Sequence, residues 1–70
     1  MNLDGDLLVK IRATRDMSQK DLAELLGYSQ TTIGLIETGQ RNPTRTFCIK
    51  LADKLGLTPE EIHRLRELPA

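Results

Sequence analysis

The sequence predicts an all-α fold of five short helices, and two patterns support this prediction. Apolar residues recur at helical spacing in short segments, and glycine, proline or small polar residues separate those segments. Signals for β-strands are nearly absent, because Val9 is the only valine and no stretch alternates between polar and apolar residues for more than a few positions. A chain of 70 residues has room for one domain, which we expect over residues 1–70 with a core at about 6–68.

Composition and charge argue against several classes of protein. Ten basic and ten acidic residues cancel, which argues against a basic tail that coats nucleic acid but allows a local basic surface. One cysteine and one histidine make neither a disulfide nor a metal site, so we expect no metal and no cofactor. The apolar runs are short and the N-terminus lacks the features of a signal peptide. We therefore expect no membrane partner and a cytoplasmic, nucleoid-associated location.

The first two helices are predicted over Asp6–Arg15 and Gln19–Leu26. Each has one face expected to point inward. The residues on these faces are Leu7, Leu8, Ile11 and Thr14 in the first helix, and Leu22, Ala23, Leu25 and Leu26 in the second. Ser18 is an N-cap for the second helix, and Asp21 can return a hydrogen bond to the backbone in a capping box. Gly27 ends that helix because glycine adopts the left-handed conformation without penalty.

The last three helices are predicted over Gln30–Thr38, Arg45–Leu55 and from Pro59 to near Leu68. Each follows a residue that caps a helix N-terminus: Ser29, Thr44 and Thr58. The expected inward residues are Ile33 and Ile36 in the third helix, and Cys48, Leu51, Ala52 and Leu55 in the fourth. In the fifth helix, Glu61 is expected to complete a capping box.

The segment from Gln19 to Ile36 carries the most informative pattern. It contains two short helices joined by a tight turn at residues 27–29. Ala23 is small enough for the helix axes to approach, and Gly27 lets the chain reverse. Inward apolar residues then hold the two helices at a steep angle: Leu22, Leu26, Tyr28, Ile33 and Ile36. These are the physical requirements of a helix-turn-helix.

Three segments in order resemble the lambda-repressor/Cro-like helix-turn-helix domains, also called the XRE family. Met17–Ala23 is similar to the family pattern hSQxxLA, in which h is hydrophobic. Leu26–Glu37 is similar to LGhSxxTIxxIE, and Gly39–Pro43 to GxRxP. Leu51–Leu57 resembles the end of the family's fourth helix, so the resemblance extends over about Leu8 to Ile62.

The resemblance implies a sequence-specific transcriptional regulator of bacterial or phage type that binds double-stranded DNA. It would bind a palindromic operator as a homodimer, with a recognition helix at residues 30–38 in the major groove. Because Ile33 and Ile36 face inward, the polar start of this helix faces outward. Base contacts are expected from Gln30, Thr31, Thr32 and Leu35, and phosphate contacts from Gln19, Lys20, Thr38, Arg41, Asn42 and Arg45.

Local charge favours phosphate contacts beside the recognition helix. Residues 38–50 contain three basic residues and no acid, which is a net charge of +3 within a neutral chain. The resemblance also implies an ion pair between Arg12 and Glu37, which joins the first and third helices. Leu35 departs from the family, which often has a basic residue or glutamine there. With leucine at position 35, residues 30–36 carry no positive charge.

Other functions of such a chain are weighed against DNA binding. The same fold can serve as a protein-interaction module, for example an antitoxin-type binder with weak or no DNA binding. An enzyme is not expected, because no base lies at a readable spacing from a nucleophile. For Ile62, Leu65 and Leu68 three alternatives stay open: a homodimer contact, packing on helix 1 of the same chain, or a frayed end.

Overall fold

A computed structural model describes residues 3–69, and it contains five α-helices and no strand within that range. Met1, Asn2 and Ala70, which the predicted domain includes, lie outside the described residues. The helices are α1 (Gly5–Thr14), α2 (Gln19–Leu26), α3 (Gln30–Glu37), α4 (Arg45–Leu55) and α5 (Pro59–Arg66). The predicted all-α class is confirmed, and α2 and α4 have the predicted bounds.

The other three helices differ from the prediction by one to three residues at their ends. Asp4 caps α1, because its Oδ1 accepts a hydrogen bond of 2.8 Å from the Leu7 amide, so the helix begins at Gly5. At the other end of the chain, α5 ends at Arg66, earlier than expected. The predicted capping box of α2 is present: Ser18 Oγ accepts from the Asp21 amide and Asp21 accepts from the Ser18 amide.

One largely aliphatic core joins the five helices. Among residues 3–69 its twelve buried members, of which Phe47 alone is aromatic, are Leu3, Leu7, Leu8, Ile11, Leu22, Ala23, Leu26, Ile33, Ile36, Phe47, Leu51 and Leu65. Six half-buried residues pack against this core: Met17, Tyr28, Cys48, Leu55, Leu57 and Ile62. Burial of such side chains stabilises each by about 1.5–3 kcal/mol relative to exposure.

Gly5 allows α1 to approach the end of α3 closely. A Cβ at this position would overlap the carbonyl oxygens of Glu37 and Ile36. The absence of a side chain at Gly5 therefore sets how closely the start of α1 and the end of α3 can pack.

The predicted inner face of α4 is wrong by one residue. Phe47 is 1% exposed and lies with Leu51 in the core, whereas Cys48 is only half-buried. The two buried residues are four apart, and the Phe47 ring packs on Tyr28 with 5.1 Å between ring centroids. Because the largest apolar side chain takes the interior, α4 is rotated so that Cys48 lies at the edge. Thr14 and Leu25 were also expected on inner faces but are exposed, while the other predicted inward residues of α1 and α2 are buried.

The structure bears on two expectations for α5. Leu65 is 4% exposed and belongs to the core, so of the alternatives given for this residue the structure shows packing within its own chain. Ile62 also packs against the core, and only Leu68 stays exposed. Glu61 does not complete the expected capping box with its side chain. Its carboxylate accepts hydrogen bonds of 2.7 and 3.0 Å from Arg15, which lies beyond the end of α1 and ties α5 to it.

Within residues 3–69, no helix has both the length and the apolar content needed to cross a bilayer. In the same part of the chain, no group of three or more His, Cys, Asp or Glu residues could hold a metal ion.

Candidate nucleic-acid interface

The turn between α2 and α3 holds the two helices in a fixed relation. Gly27 has φ +77°, the left-handed conformation, and the amides of Gly27 and Tyr28 both donate to the Ala23 carbonyl at 2.9 Å. Ile33 and Ile36 are buried on the inner side of α3. The opposite side of α3 therefore faces outward from the body of the domain.

The N-terminal residues of α3 expose the side chains that were expected to contact bases. Gln30 and Thr31 are exposed, and neither side chain has a hydrogen-bond partner within the described residues. Thr32 is half-buried, and its Oγ1 lies 2.9 Å from the hydroxyl of Ser29, the N-cap residue. Leu35 is half-buried one turn further along. Gln30 and Thr31 are consequently the two side chains most available to a ligand.

After α3 the chain turns back against the end of the helix, and this turn places Arg41 beside Thr32. The Leu35 carbonyl accepts from the amides of Gln40 and Arg41 at 2.9 and 3.1 Å. These bonds fix the loop against the helix end. From there, Arg41 Nη1 lies 3.5 Å from Thr32 Oγ1, which is a weak contact, and Arg41 is exposed.

Arg41 and Asn42 line a shallow pocket of about 140 Å³ next to α3. Tyr28, Thr32 and Thr44 also border this pocket, so it opens where the turn, α3 and the loop after it meet. Asn42 is exposed there, as is Thr38, the C-cap residue of α3, whose hydroxyl donates to the Leu35 carbonyl at 3.3 Å. Three of the expected phosphate contacts thus lie on the loop that follows α3.

Arg45 lines a second cavity, which adjoins the Arg41 pocket because Asn42 borders both. This cavity is a groove of about 670 Å³ on the outer side of α4, and Pro43, Cys48 and Ile49 also line it. Lys50, which was counted in the basic segment but not among the expected contacts, has its Nζ 5.2 Å from the centroid of the Tyr28 ring. The sequence could not reveal that contact, because the two residues are 22 positions apart.

The carboxylate of Glu37, the last residue of α3, binds Arg12 of α1 and Gln19 of α2, so it joins the first three helices. Arg12 Nε and Nη2 donate to the two oxygens of Glu37 at 2.8 and 3.1 Å, and Arg12 Nη1 donates to the Met17 carbonyl at 2.9 Å. The Glu37 side chain is 6% exposed. Hydrogen bonding to Glu37 raises the pKa of Arg12 above its ordinary value, so the guanidinium keeps its charge at this half-buried position.

Gln19 and Lys20 begin α2 with different roles. Gln19 is half-buried, and its Nε2 donates to Glu37 Oε1 at 2.9 Å, so its amide faces the end of α3. A Cβ added at Gly34 would lie 3.8 Å from the Gln19 amide atoms, which shows that Gln19 crosses over the middle of α3. Lys20 is exposed at the second position of α2.

Comparison with known proteins places these features in a wider group. A family model described as helix-turn-helix matches residues 8–62. One similar protein is an uncharacterized HTH-type transcriptional regulator of Methanocaldococcus jannaschii, 39% identical over 51 residues, which cover 73% of this chain and 77% of that protein. Another is an uncharacterized HTH-type transcriptional regulator of Sinorhizobium fredii, 30% identical over 60 residues, which cover 86% of this chain and 78% of that protein.

Proposed function

Since the chain belongs to the helix-turn-helix family of XRE-type, lambda-repressor-like transcription regulators, we propose that it binds a specific operator in double-stranded DNA through α3. In this proposal α3 enters the major groove, and two copies bind the two halves of a palindrome. The observation that carries the proposal is the pair Gln30 and Thr31, which are exposed at the start of a helix whose other side is buried.

The outer face of α3 suits base contacts of two kinds. The Gln30 amide can bond both N6 and N7 of an adenine, which discriminates by about 1–3 kcal/mol. Thr31 and Thr32 can bond a base edge or touch a thymine methyl, and Leu35 can pack on a thymine methyl. A helix without positive charge between Gln30 and Ile36 depends on such neutral contacts for sequence preference.

Phosphate contacts are proposed on both sides of α3. On one side, the start of α2 presents Gln19, Lys20 and free backbone amides, which favour an anion at a helix N-terminus. On the other side, the loop after α3 presents Thr38, Arg41 and Asn42. Arg45, the first residue of α4, is proposed to join them from the adjoining groove, which shares Asn42 with the pocket that Arg41 lines.

The proposal is tested by selecting sites from random duplex DNA and titrating the best site across salt concentrations. Affinity should fall steeply with salt, because each neutralised phosphate releases counterions. Arg41→Ala should reduce the log–log slope by about one without changing base preference, while Gln30→Ala should relax preference at one position. Arg64→Ala, which removes the same charge from an exposed position of α5, is the matched control and should change neither.

A protein-interaction module is the second candidate, and the charge distribution favours it. The chain is neutral, and α3 lacks a basic residue between Gln30 and Ile36. For this candidate the selection would yield no preferred duplex, and any residual binding would be as weak for Arg41→Ala as for Arg64→Ala. That outcome would contradict the operator proposal.

A further inference from the structure

The outer face of α4 combines one exposed apolar residue with two opposite charges. Arg45, Ile49 and Asp53 follow one another at intervals of four, so they lie along one side of the helix. Ile49 is 58% exposed, the highest value among the large apolar residues of the described chain. It borders the 670 Å³ groove, whose other apolar lining comes from Leu3, Pro43, Cys48 and Ala52.

The two charged residues on this face have no partners in their own chain. Arg45 and Asp53 are exposed, and within residues 3–69 neither makes an ion pair or a side-chain hydrogen bond. By contrast, Arg12 and Arg15 each bind a carboxylate through two nitrogen atoms. The outer face of α4 is therefore an apolar centre with an unpaired cation at one end and an unpaired anion at the other.

We infer that this face binds a second copy of the chain, with the two α4 helices antiparallel across a two-fold axis at Ile49. Arg45 and Asp53 are each four residues from Ile49, which is about 6 Å along the helix axis. An antiparallel arrangement around Ile49 consequently sets Arg45 opposite Asp53 of the partner subunit, and the same pair forms twice. Each Ile49 then packs against the other Ile49 at the axis, beside the groove that it borders.

The charge pattern selects a second copy over other partners. A two-fold interface requires a surface that is complementary to itself, and this face is, because reversing its direction exchanges its cation with its anion. A face with one sign of charge would instead suit an oppositely charged partner. On α5, Leu65 is buried in the core of its own chain and Leu68 is 47% exposed, so Ile49 of α4 is the more exposed apolar residue.

This interface deepens the proposed function, in which two copies bind a palindrome, but self-association without DNA tests it separately. The experiment is sedimentation equilibrium of the full chain at a range of concentrations. Arg45→Glu and Asp53→Lys are measured alone and as an equimolar mixture. Both substitutions suit the helix dipole, because they place an acid in the first turn and a base in the last turns of α4, so the variants should fold. Circular dichroism and thermal melting verify this.

Each single variant should raise the dissociation constant of the dimer by at least about tenfold, because like charges then face each other in both pairs. The mixture should restore association. In the mixed dimer, the acid introduced in one variant faces the base introduced in the other, and the unchanged Arg45 faces the unchanged Asp53. Lys54→Glu, a charge reversal on the opposite side of the same helix, should leave the dissociation constant unchanged.

Three results would overturn the interface. The wild-type chain could be monomeric up to about 1 mM, the single variants could dimerise like the wild type, or the mixture could remain monomeric. If the chain binds its selected operator while any of these holds, the interface is wrong and the operator proposal stands. If the mixture associates but no duplex is preferred, the interface stands and the operator proposal fails.

Discussion

The side-chain amide of Gln19 donates to the Glu37 carboxylate at 2.9 Å, so the first residue of α2 holds the last residue of α3. A carboxylate only accepts hydrogen bonds, which fixes the amide with Nε2 towards Glu37. The second Nε2 hydrogen has no partner within residues 3–69 and remains available to a phosphate. Glu37 thus orients the Gln19 side chain, whose second amide hydrogen is proposed to contact a DNA phosphate.

Gln19→Ala should lower the free energy of unfolding by about 1–2 kcal/mol, because it removes a hydrogen bond to a charged group. Gln19→Glu should cost more, since it places a second carboxylate beside Glu37. Urea titration followed by circular dichroism measures both. Lys20→Ala, at the exposed next position, is the control and should change stability little. Equal stability of the wild type and Gln19→Glu would contradict the bond.

Glu37→Ala should lower the free energy of unfolding by about 3 kcal/mol, because it leaves a partly buried Arg12 without its partner. For a chain of this size, 1 kcal/mol corresponds to roughly 4–8 °C in Tm, so thermal melting should show the loss clearly. Arg12→Ala should have a similar effect. Glu67→Ala, which breaks the exposed pair with His63, is the control and should shift stability by less than about 0.5 kcal/mol. If Glu37→Ala or Arg12→Ala melts at the wild-type temperature, the role of the pair is refuted.

Acid should weaken the tie between α1 and α5. The hydrogen bonds from Arg15 hold the pKa of Glu61 below its ordinary value of 4.5. The folded state therefore binds the proton less readily than the unfolded state. The stabilisation is fully present above pH 4.5 and is lost as the pH falls through the lower pKa of the folded protein.

The test compares Glu61→Gln with the wild type by denaturant unfolding from pH 7 down to about 3. At pH 7 the variant should be less stable by about 1 kcal/mol. The difference in the free energy of unfolding between the two proteins should narrow steadily below pH 4.5. Glu60→Gln removes the same charge from the exposed neighbouring residue and should track the wild type more closely. A difference in stability that does not change with pH would contradict the stabilisation assigned to the Arg15–Glu61 hydrogen bonds.

The substitution of glycine by alanine should have opposite effects at two sites. Gly34→Ala should stabilise the fold by about 0.5–1 kcal/mol through helix propensity, because its Cβ meets only Gln19 atoms at an ordinary 3.8 Å. Gly5→Ala should destabilise it, because its Cβ would overlap the Glu37 and Ile36 carbonyl oxygens and push α1 from α3. Thermal melting of both variants checks the signs. If Gly34→Ala is more stable but binds the selected operator more weakly, α3 approaches DNA at its backbone.

Local features predicted the helices and their limits. Ser18, Ser29, Thr44 and Thr58 each accept from an amide three residues later, as expected of N-caps. Gly27 and Gly56 end α2 and α4 in the left-handed conformation. These interactions span at most about one helical turn, so the residues that make them are adjacent in the printed chain. The exposed start of α3 was predictable for the same reason, because Ile33 and Ile36 alone set its inner side.

The sequence by itself determined which segments are helical, to within one to three residues at their ends, and which side of α3 faces outward. The tertiary structure alone decided that Phe47 replaces Cys48 in the core, that Glu61 binds Arg15 and that Gln19 binds Glu37. Helical spacing gives the width of an apolar stripe but not its rotation against neighbouring helices, and one residue corresponds to about 100°. Long polar side chains take partners that are 18 and 46 residues away here, because only packing brings those partners within hydrogen-bond distance.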